Sequence, residues 1–363
     1  MQSILKQKII GIDFSDYSIE LLCIEKGFWK PKIYAYSRCI LPPGVLFDGA
    51  IQYPAALSGI LKKMMLSAVP NFMKNGLCVF SLPDSQVFFH EFIMPAALGG
   101  KSLRQAILHE VRTKFPMKFD DLYYDFIVSG KNHDTQNILF FAAPDYILEK
   151  YIQTLLDAGL TPIAIDVESM SIGRSLLNSR DRRKDVLIAD IGSRYTNIIV
   201  YNNYEVSGIH IIKEGGEKST NRISEQLCIP KAEAEVIKKQ IGLSFHGQES
   251  EVSEIVADDM KEIIREIKKI IQYYLHRKKI TIDTIVLTGG CVLSPGVQKF
   301  FQSHFWQEVE VRNPFDKLRV QKNDEKNKRN VLFSNVIGLA LRGLHTYPHL
   351  RGVNLLQKAR SHS

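Results

Sequence analysis

Apolar positions come in short blocks over residues 8–41 and then change period. KIIGIDF, SIELLCIEK and KIYAYSRCIL read as three strands, parted by turn material that includes Gly27 and Pro31. Past the Asp48–Gly49 turn, DGAIQYPAALSGILKKMMLSA shifts to helical spacing, with Leu57, Ile60, Leu61 and Met64 on one face. Residues 77–130 read as an inserted unit. LCVFSLP and QVFFHEFIMP are strands closed by prolines, SLRQAILHEVRTKF is an amphipathic helix capped by Ser102 and stopped before Pro116, and LYYDFIVSG is a further strand. NILFFAAP, DYILEKYIQTLLDAG and TPIAIDVES continue as strand, helix and strand, with Gly159 at the helix end. SMSIGRSLLNS is a short helix, and RDRRKD is a charged connector.

From Asp185 the same order starts again. DVLIADI, TNIIVYN and EVSGIHIIK are strands, followed by a loop with Gly215–Gly216. Helices KSTNRISEQL and KAEAEVIKKQIG precede a long one that keeps Ile263, Ile264, Ile267, Ile270 and Ile271 on one stripe, the mark of a core face. TIDTIVLTGG is a strand, SPGVQKFFQSHF a helix, VEVRNPF a strand and NVIGLALRGL a last helix.

The restart repeats a short sentence. Residues 9–21 read IIGIDFSDYSIEL and residues 187–200 read LIADIGSRYTNIIV. Each is an apolar run, an Asp, a small-residue turn and a β-branched run, which makes a hairpin with Asp13 or Asp190 at its bend. A repeated unit of this kind argues for two related halves. Strand triplets followed by helices, twice over, give a mixed α/β fold with a cleft between the halves. The expected division is a first half over 1–184 with an inserted subdomain at about 77–165, a second half over 185–345, and a tail over 346–363. The final helix, 331–345, is expected to pack back on the first half.

Composition narrows the class. The chain has 363 residues, 45% hydrophobic and 24% charged, as an ordinary globular protein does. No run approaches the roughly 20 apolar residues that span a bilayer. MQSILKQKIIGIDF, with Asp inside a short apolar run, reads as a first strand rather than a signal peptide, so a cytosolic protein is expected. The five cysteines form no CxxC pair and have no His at zinc spacing, which suits reduced thiols. His90, His109, His133 and His246 share no ligand spacing. The net charge of +8 comes largely from KLRVQKNDEKNKRN at 317–330 and from Arg351, Lys358 and Arg360. No arginine–aromatic alternation of the base-stacking kind accompanies it, so no nucleic-acid partner is expected.

The two hairpins and the late TGG are similar to those of the actin, Hsp70 and sugar-kinase superfamily. Within it the chain resembles the PilM family, actin-like cytoplasmic proteins of type IV pilus machines. The resemblance covers nearly the whole chain. It includes LPPGVLFDGAI before a helix, SLPDSQVFFHEFIMP, HEVRTKFPMKFDDLYYDF, LLDAGLTPIAIDVES, the GGE at 215–217 and VLTGGCVLSPGV. It implies an actin-like, duplicated ribonuclease-H-like two-domain fold with a nucleotide cleft and an inserted subdomain in the first half.

It also implies ATP with Mg²⁺ as cofactors. In the second loop Asp190, Gly192, Ser193 and Thr196 correspond to phosphate-binding positions. Glycine permits close backbone approach, and successive N–H groups form an anion nest. Mg²⁺ keeps several waters, so Asp13 and Asp190 would hold it through water. In the first loop Asp13, Ser15, Asp16 and Ser18 take those positions, but the family pattern is approximately GIDIGSSSVKL and this chain has GIDFSDYSIEL. Ser15 replaces a glycine, and Asp16 and Glu20 add carboxylates where phosphates would lie, which predicts weak ATP binding and weaker hydrolysis. Gly289 and Gly290 correspond to the adenosine loop. Gly216 and Glu217 correspond to the ribose contact, although Glu217 equally suits a helix start. Glu168 falls where relatives orient the attacking water, either as a general base or as a helix cap.

The tail carries VNLL, with Val353, Asn354, Leu355 and Leu356. It resembles the Ile-Asn-Leu-Leu peptide by which PilN, a bitopic inner-membrane partner, docks into PilM. The segment either folds back into such a groove, binds a neighbour through self-association, or frays. The resemblance thus implies a nucleotide-binding scaffold at the inner face of the inner membrane. An active ATPase, or a filament-forming relative of FtsA, is the alternative. The tail is too short for the amphipathic membrane helix in which FtsA relatives usually end.

Overall fold

The repeat read in the sequence is realised as two five-stranded sheets of the same strand pattern. A computed structural model describes residues 7–114, 121–243, 251–319, 330–344 and 352–356. His246, the Pro116 stop, most of the basic stretch 317–330 and the tail residues 346–351 and 357–363 lie outside the described residues. The chain forms two units, residues 1–175 with 315–325 and 335–363, and residues 176–314 with 326–334.

In the first unit β1 (Lys8–Phe14), β2 (Ser18–Glu25) and β3 (Lys32–Ile40) form the expected antiparallel meander. A short hairpin, β4 (Leu46–Phe47) and β5 (Ala50–Ile51), precedes α1 (Pro54–Leu66). The sequence reading passed over this hairpin, since two-residue strands leave no periodicity. β6 (Gly76–Leu82) pairs parallel with β1. β7 (Phe88–Pro95), α2 (Gly100–Lys114), β8 (Leu122–Lys131) and β9 (Thr135–Pro144) build a separate module. In it the order β7-β9-β8 is antiparallel, and Leu103, Ile107 and Val111 of α2 share a core with Phe92, Ile138 and Phe140. α3 (Asp145–Asp157) then leads to β10 (Leu160–Val167), which pairs parallel with β6, and to α4 (Glu168–Leu176).

The large sheet has the order β10-β6-β1-β2-β3. The strands at 76–82 and 160–167, placed by the sequence reading at the ends of an inserted subdomain, therefore belong to this sheet. The small sheet between them occupies Phe88–Pro144. The sequence missed this because a strand's apolar run does not say which sheet receives it.

The second unit repeats the pattern. β11 (Asp185–Ile191), β12 (Thr196–Asn202) and β13 (Glu205–Ile212) form an antiparallel meander. α5 (Gly216–Gln226), α6 (Lys231–Ile241) and α7 (Glu251–Tyr273) follow. β14 (Thr284–Thr288), α8 (Val297–Gln302) and β15 (Glu308–Val311) complete the sheet in the order β13-β12-β11-β14-β15. Ile263, Ile264, Ile267 and Ile271 of α7 are buried in its core, with Ile270 partly buried beside them.

The charged connector is more than solvated chain. Ser179–Arg183 is a 3₁₀ turn, and the carboxylate of Asp181 is buried and held by both terminal nitrogens of Arg312, at 2.7 and 3.0 Å. α9 (Ser334–Gly343) follows, and all of it past Ser334 belongs to the first unit. There the Arg174 guanidinium donates to the Gly338 carbonyl at 2.9 Å, tying α4 to α9. Among the described residues no helix is long and apolar enough to cross a membrane.

Candidate functional site

β1, β6 and β10 run parallel, so their carboxyl ends share one edge of the first sheet, the usual place for ligands in such sheets. Asp13 and Ser81 are the next-to-last residues of β1 and β6, and Glu168 follows β10. Asn335 of α9 ties two of them. Its Nδ2 donates to Asp13 Oδ1 at 2.7 Å and to Ser81 Oγ at 3.0 Å, while its Oδ1 accepts from the Ser171 hydroxyl. A buried amide with both N–H bonds used fixes the rotamer of the aspartate it serves. Glu168 Oε2 accepts the Asp84 N–H at 3.3 Å. The Tyr151 hydroxyl, buried and donating to the Gly49 carbonyl at 2.8 Å, is pushed up first by burial and then by the negative charges of Asp16, Glu168 and Asp13. The structure thus brings Asp13, Asp16 and Glu168 into one acidic neighbourhood. Asp84 adds to it: burial foremost, with the nearby Asp166 charge, raises its carboxyl to about 6 against hydrogen bonds from Ser169.

The departures in the first loop have definite uses. The Ser15 N–H donates to the Ser18 carbonyl at 2.9 Å, and the Ser15 hydroxyl donates to that same carbonyl at 3.0 Å. The bend from Phe14 to Ser18 contains no positive φ, so the glycine of the family pattern is not needed there. Asp16 turns its carboxylate onto the β4–β5 hairpin, taking the Asp48 and Gly49 N–H groups at 2.9 Å each. Asp48 has φ +50° and Gly49 +71°, a backbone that a two-pronged acceptor stabilises. Glu20 is buried on β2 and accepts Arg38 Nε at 2.6 Å and the Ser18 hydroxyl at 2.9 Å. Burial still outweighs Arg38 and raises its pKa. Asp16 and Ser18, expected as cofactor contacts, are therefore engaged in holding the loop's own structure. The two added carboxylates have local partners instead of facing phosphate alone.

The second loop is built from the same bend. The Gly192 N–H donates to the Tyr195 carbonyl at 3.0 Å, matching the Ser15–Ser18 bond two residues past the aspartate. The amino end of α5 is fastened to it: Gly216 N–H donates to the Gly192 carbonyl at 3.0 Å and Glu217 N–H to the Ser193 carbonyl at 2.8 Å. A side chain on Gly215 would put a Cβ 2.4 Å from the Ser193 carbonyl oxygen. Gly289 has φ +91°, and its Cβ would lie 2.6 Å from Asp190 Oδ1. Asp190, Gly192, Ser193, Gly216, Glu217 and Gly289 are thus brought together, with Gly290 next in chain. The Thr196 hydroxyl is buried and donates to the Glu214 carbonyl at 2.8 Å, a structural duty rather than an exposed one.

Sequence reasoning missed Lys238. Its buried ammonium donates to the Gly216 carbonyl at 2.7 Å and the Thr220 hydroxyl at 2.8 Å, and pairs with Glu235 at 2.6 Å. Burial pushes Glu235 up, but Lys238 outweighs it and holds the carboxyl below its usual range. A lysine inside KAEAEVIKKQIG looks like a solvated helix position, and only tertiary packing reveals it. Cys291 likewise places its thiol 3.3 Å from the Gly192 carbonyl. This loop therefore combines the Asp190 and Glu217 carboxylates, a helix amino end and the Lys238–Glu235 ion pair. The Asp190 carboxylate beside close-packed glycine backbone suits a hydrated divalent ion, while the Gly216 and Glu217 N–H groups and Lys238 are engaged by the protein's own acceptors. Among the described residues no cluster of three or more His, Cys, Asp or Glu could hold a metal by itself.

Residues 352–356 lie along β10 in the first unit. β10 is an edge strand, with open N–H and C=O groups on its outer side. Leu355 N–H donates to the Ile165 carbonyl at 2.9 Å, and Ile165 N–H donates to Asn354 Oδ1 at 3.0 Å, so the Asn side chain serves as a backbone acceptor. Asn354 N–H donates to Asp125 Oδ2 at 2.8 Å. Val353 and Leu355 are fully buried. Under them Asp166 is clamped by Arg174 at 2.9 Å and Arg342 at 3.0 Å.

Comparison with known proteins agrees with this fold. The solved structure titled "PilM-PilN type IV pilus biogenesis complex" superposes with a TM-score of 0.81 at 20% identity, over 93% of this chain and 98% of that one. MreB5 of Spiroplasma citri, solved with AMPPNP, superposes with a TM-score of 0.52 at 14% identity, over 92% and 94%. Both show the actin-like fold. Cell division protein FtsA of Bacillus subtilis is 28% identical over 46% of this chain, and FtsA of Neisseria meningitidis 27% over 53%. The chain spans half or less of the length of these curated relatives. A family model described as Type IV pilus assembly protein PilM matches residues 11–344, and the chain belongs to that family.

Proposed function

We propose that the chain is a cytoplasmic ATP-binding scaffold of a type IV pilus or related secretion or competence machine. It works at the inner face of the inner membrane and docks the short cytoplasmic peptide of a PilN-like bitopic partner. The observation that carries this reading is the VNLL segment on β10. It is an extended peptide added to a sheet edge, with alternate side chains buried and an Asn satisfying the backbone, the mode by which edges recognise peptides. A partner peptide of the same pattern would take the place of residues 353–356.

ATP with Mg²⁺ would be taken by the second loop, through Asp190, Gly192 and Ser193. Mg²⁺ would there offset phosphate charge. Glu168, engaged with the Asp84 amide, is a helix-start residue first and a water-orienting base second, which suits slow or absent turnover. The FtsA relatives favour a second reading, a filament-forming protein.

The test is calorimetric titration of a synthetic peptide copied from a PilN-like partner's cytoplasmic end into the full chain and into a chain ending at residue 351. The shortened chain should bind the peptide and the full chain bind it more weakly, since its own segment competes. No binding to either overturns the docking role. ATP-dependent sedimentation of polymers without peptide binding would favour the second reading.

A further inference from the structure

The turn between β2 and β3 reads Lys26-Gly27-Phe28-Trp29-Lys30-Pro31. Phe28 is 92% exposed and Trp29 89% exposed. Their rings meet edge to face, with centroids 5.2 Å apart. The turn is held in shape. Lys26 N–H donates to the Gln7 carbonyl at 3.0 Å, and a Cβ on Gly27 would lie 2.0 Å from the Lys30 carbonyl oxygen. Arg319 N–H donates to the Pro31 carbonyl at 2.8 Å. The aromatics are thus presented by a fastened hairpin tip.

The surroundings are basic. Lys26, Lys30 and Lys32 are exposed beside the pair, as is Arg319, which bridges Lys32 through the backbone. Lys8 lies opposite Glu25 on β1, with its ammonium 3.4 Å from the Tyr34 ring centroid. The Lys30 ammonium donates to the Asp316 carbonyl at 2.7 Å, a neutral acceptor that leaves its charge in place. Against these cations stand the carboxylates of Glu25 and Asp316.

Two adjacent exposed aromatics are costly to leave in water and mark a contact surface. Trp beside Lys is the composition of the bilayer interface, where the indole sits at headgroup level and ammonium groups meet lipid phosphates. The uneven charge selects an anionic surface.

We propose that this hairpin tip is a membrane-contact element: Phe28 and Trp29 insert among the headgroups of an anionic bilayer, and Lys26, Lys30 and Lys32 hold the phosphates. The contact is independent of any docked peptide or nucleotide.

The test uses the full chain with Trp306→Phe, which leaves Trp29 as the single tryptophan. It is mixed with vesicles of phosphatidylethanolamine and phosphatidylglycerol, and with vesicles of phosphatidylcholine alone. Trp29 emission should shift to the blue and be quenched by brominated acyl chains only with the anionic vesicles, and less so as salt is raised. Phe28→Ser with Trp29→Ser should cut vesicle co-sedimentation at least about tenfold, with the thermal unfolding midpoint unchanged because both rings are exposed. Lys26→Gln, Lys30→Gln and Lys32→Gln together should cut it roughly a hundredfold. Unchanged Trp29 emission with anionic vesicles overturns the proposal. So does a concentration-dependent dimer that disappears in the double serine variant, which would make the tip a protein contact.

Discussion

The two aspartate bends share a backbone and differ in what surrounds it. Ser15–Ser18 and Gly192–Tyr195 close with the same hydrogen bond at the same offset from Asp13 and Asp190. Around the first stand Asp16, Asp84, Glu168 and the buried Glu20, so that end of the sheet is acidic and its side chains are engaged by amides, by Arg38 and by the Ser169 hydroxyl. Around the second stand glycines, a helix amino end and the buried Lys238 paired with Glu235. A duplicated fold can therefore keep its geometry while its electrostatics diverge. The first bend is lined by carboxylates with local partners, and the second by glycine backbone and an ion pair.

The comparison is broken most strongly at Gly289. Gly289→Val places branched atoms against Ile191 and Asp190 at φ +91°. It should lower stability by about 4 kcal/mol in urea unfolding and weaken ATP·Mg²⁺ binding more than about a hundredfold. Acidity of the first end is read next. Asp84 has a folded pKa near 6, above its ordinary 3.8, so its contribution is full below about 4 and lost as pH rises through about 6. Between about pH 7 and pH 4, wild type should therefore gain on the order of 2 kcal/mol relative to Asp84→Asn, measured by unfolding at each pH. Asn335→Ala leaves Asp13, Ser81 and Ser171 without their shared partner. A loss of about 2 kcal/mol is expected in urea unfolding. Asp16→Ala should cost about 1 kcal/mol through the Asp48 and Gly49 amides, read by thermal unfolding.

The strand meanders, the long helix and the repeat were legible because period and turn residues are local signals. The placing of Asp13 and Asp190 at hairpin bends was legible because each is the next-to-last residue of an apolar strand before a turn. Asn335, Asp84 and Lys238 were not, since their roles come from partners at Asp13, Ser169 and Gly216, far away in sequence. Asp16 and Glu20 looked like misplaced charges because Arg38 and the Asp48–Gly49 amides were unseen. The VNLL segment was recognisable, but its seat on β10 depends on which strand of the sheet is the edge.

The most direct test is calorimetric titration of ATP·Mg²⁺ into wild type, Asp190→Ala and Asp16→Ala. Asp190→Ala should lose binding by about a hundredfold or more, while Asp16→Ala stays within roughly threefold of wild type, because its carboxylate serves the hairpin. Equal losses in both variants, or a larger loss in Asp16→Ala, would contradict the division between the two bends.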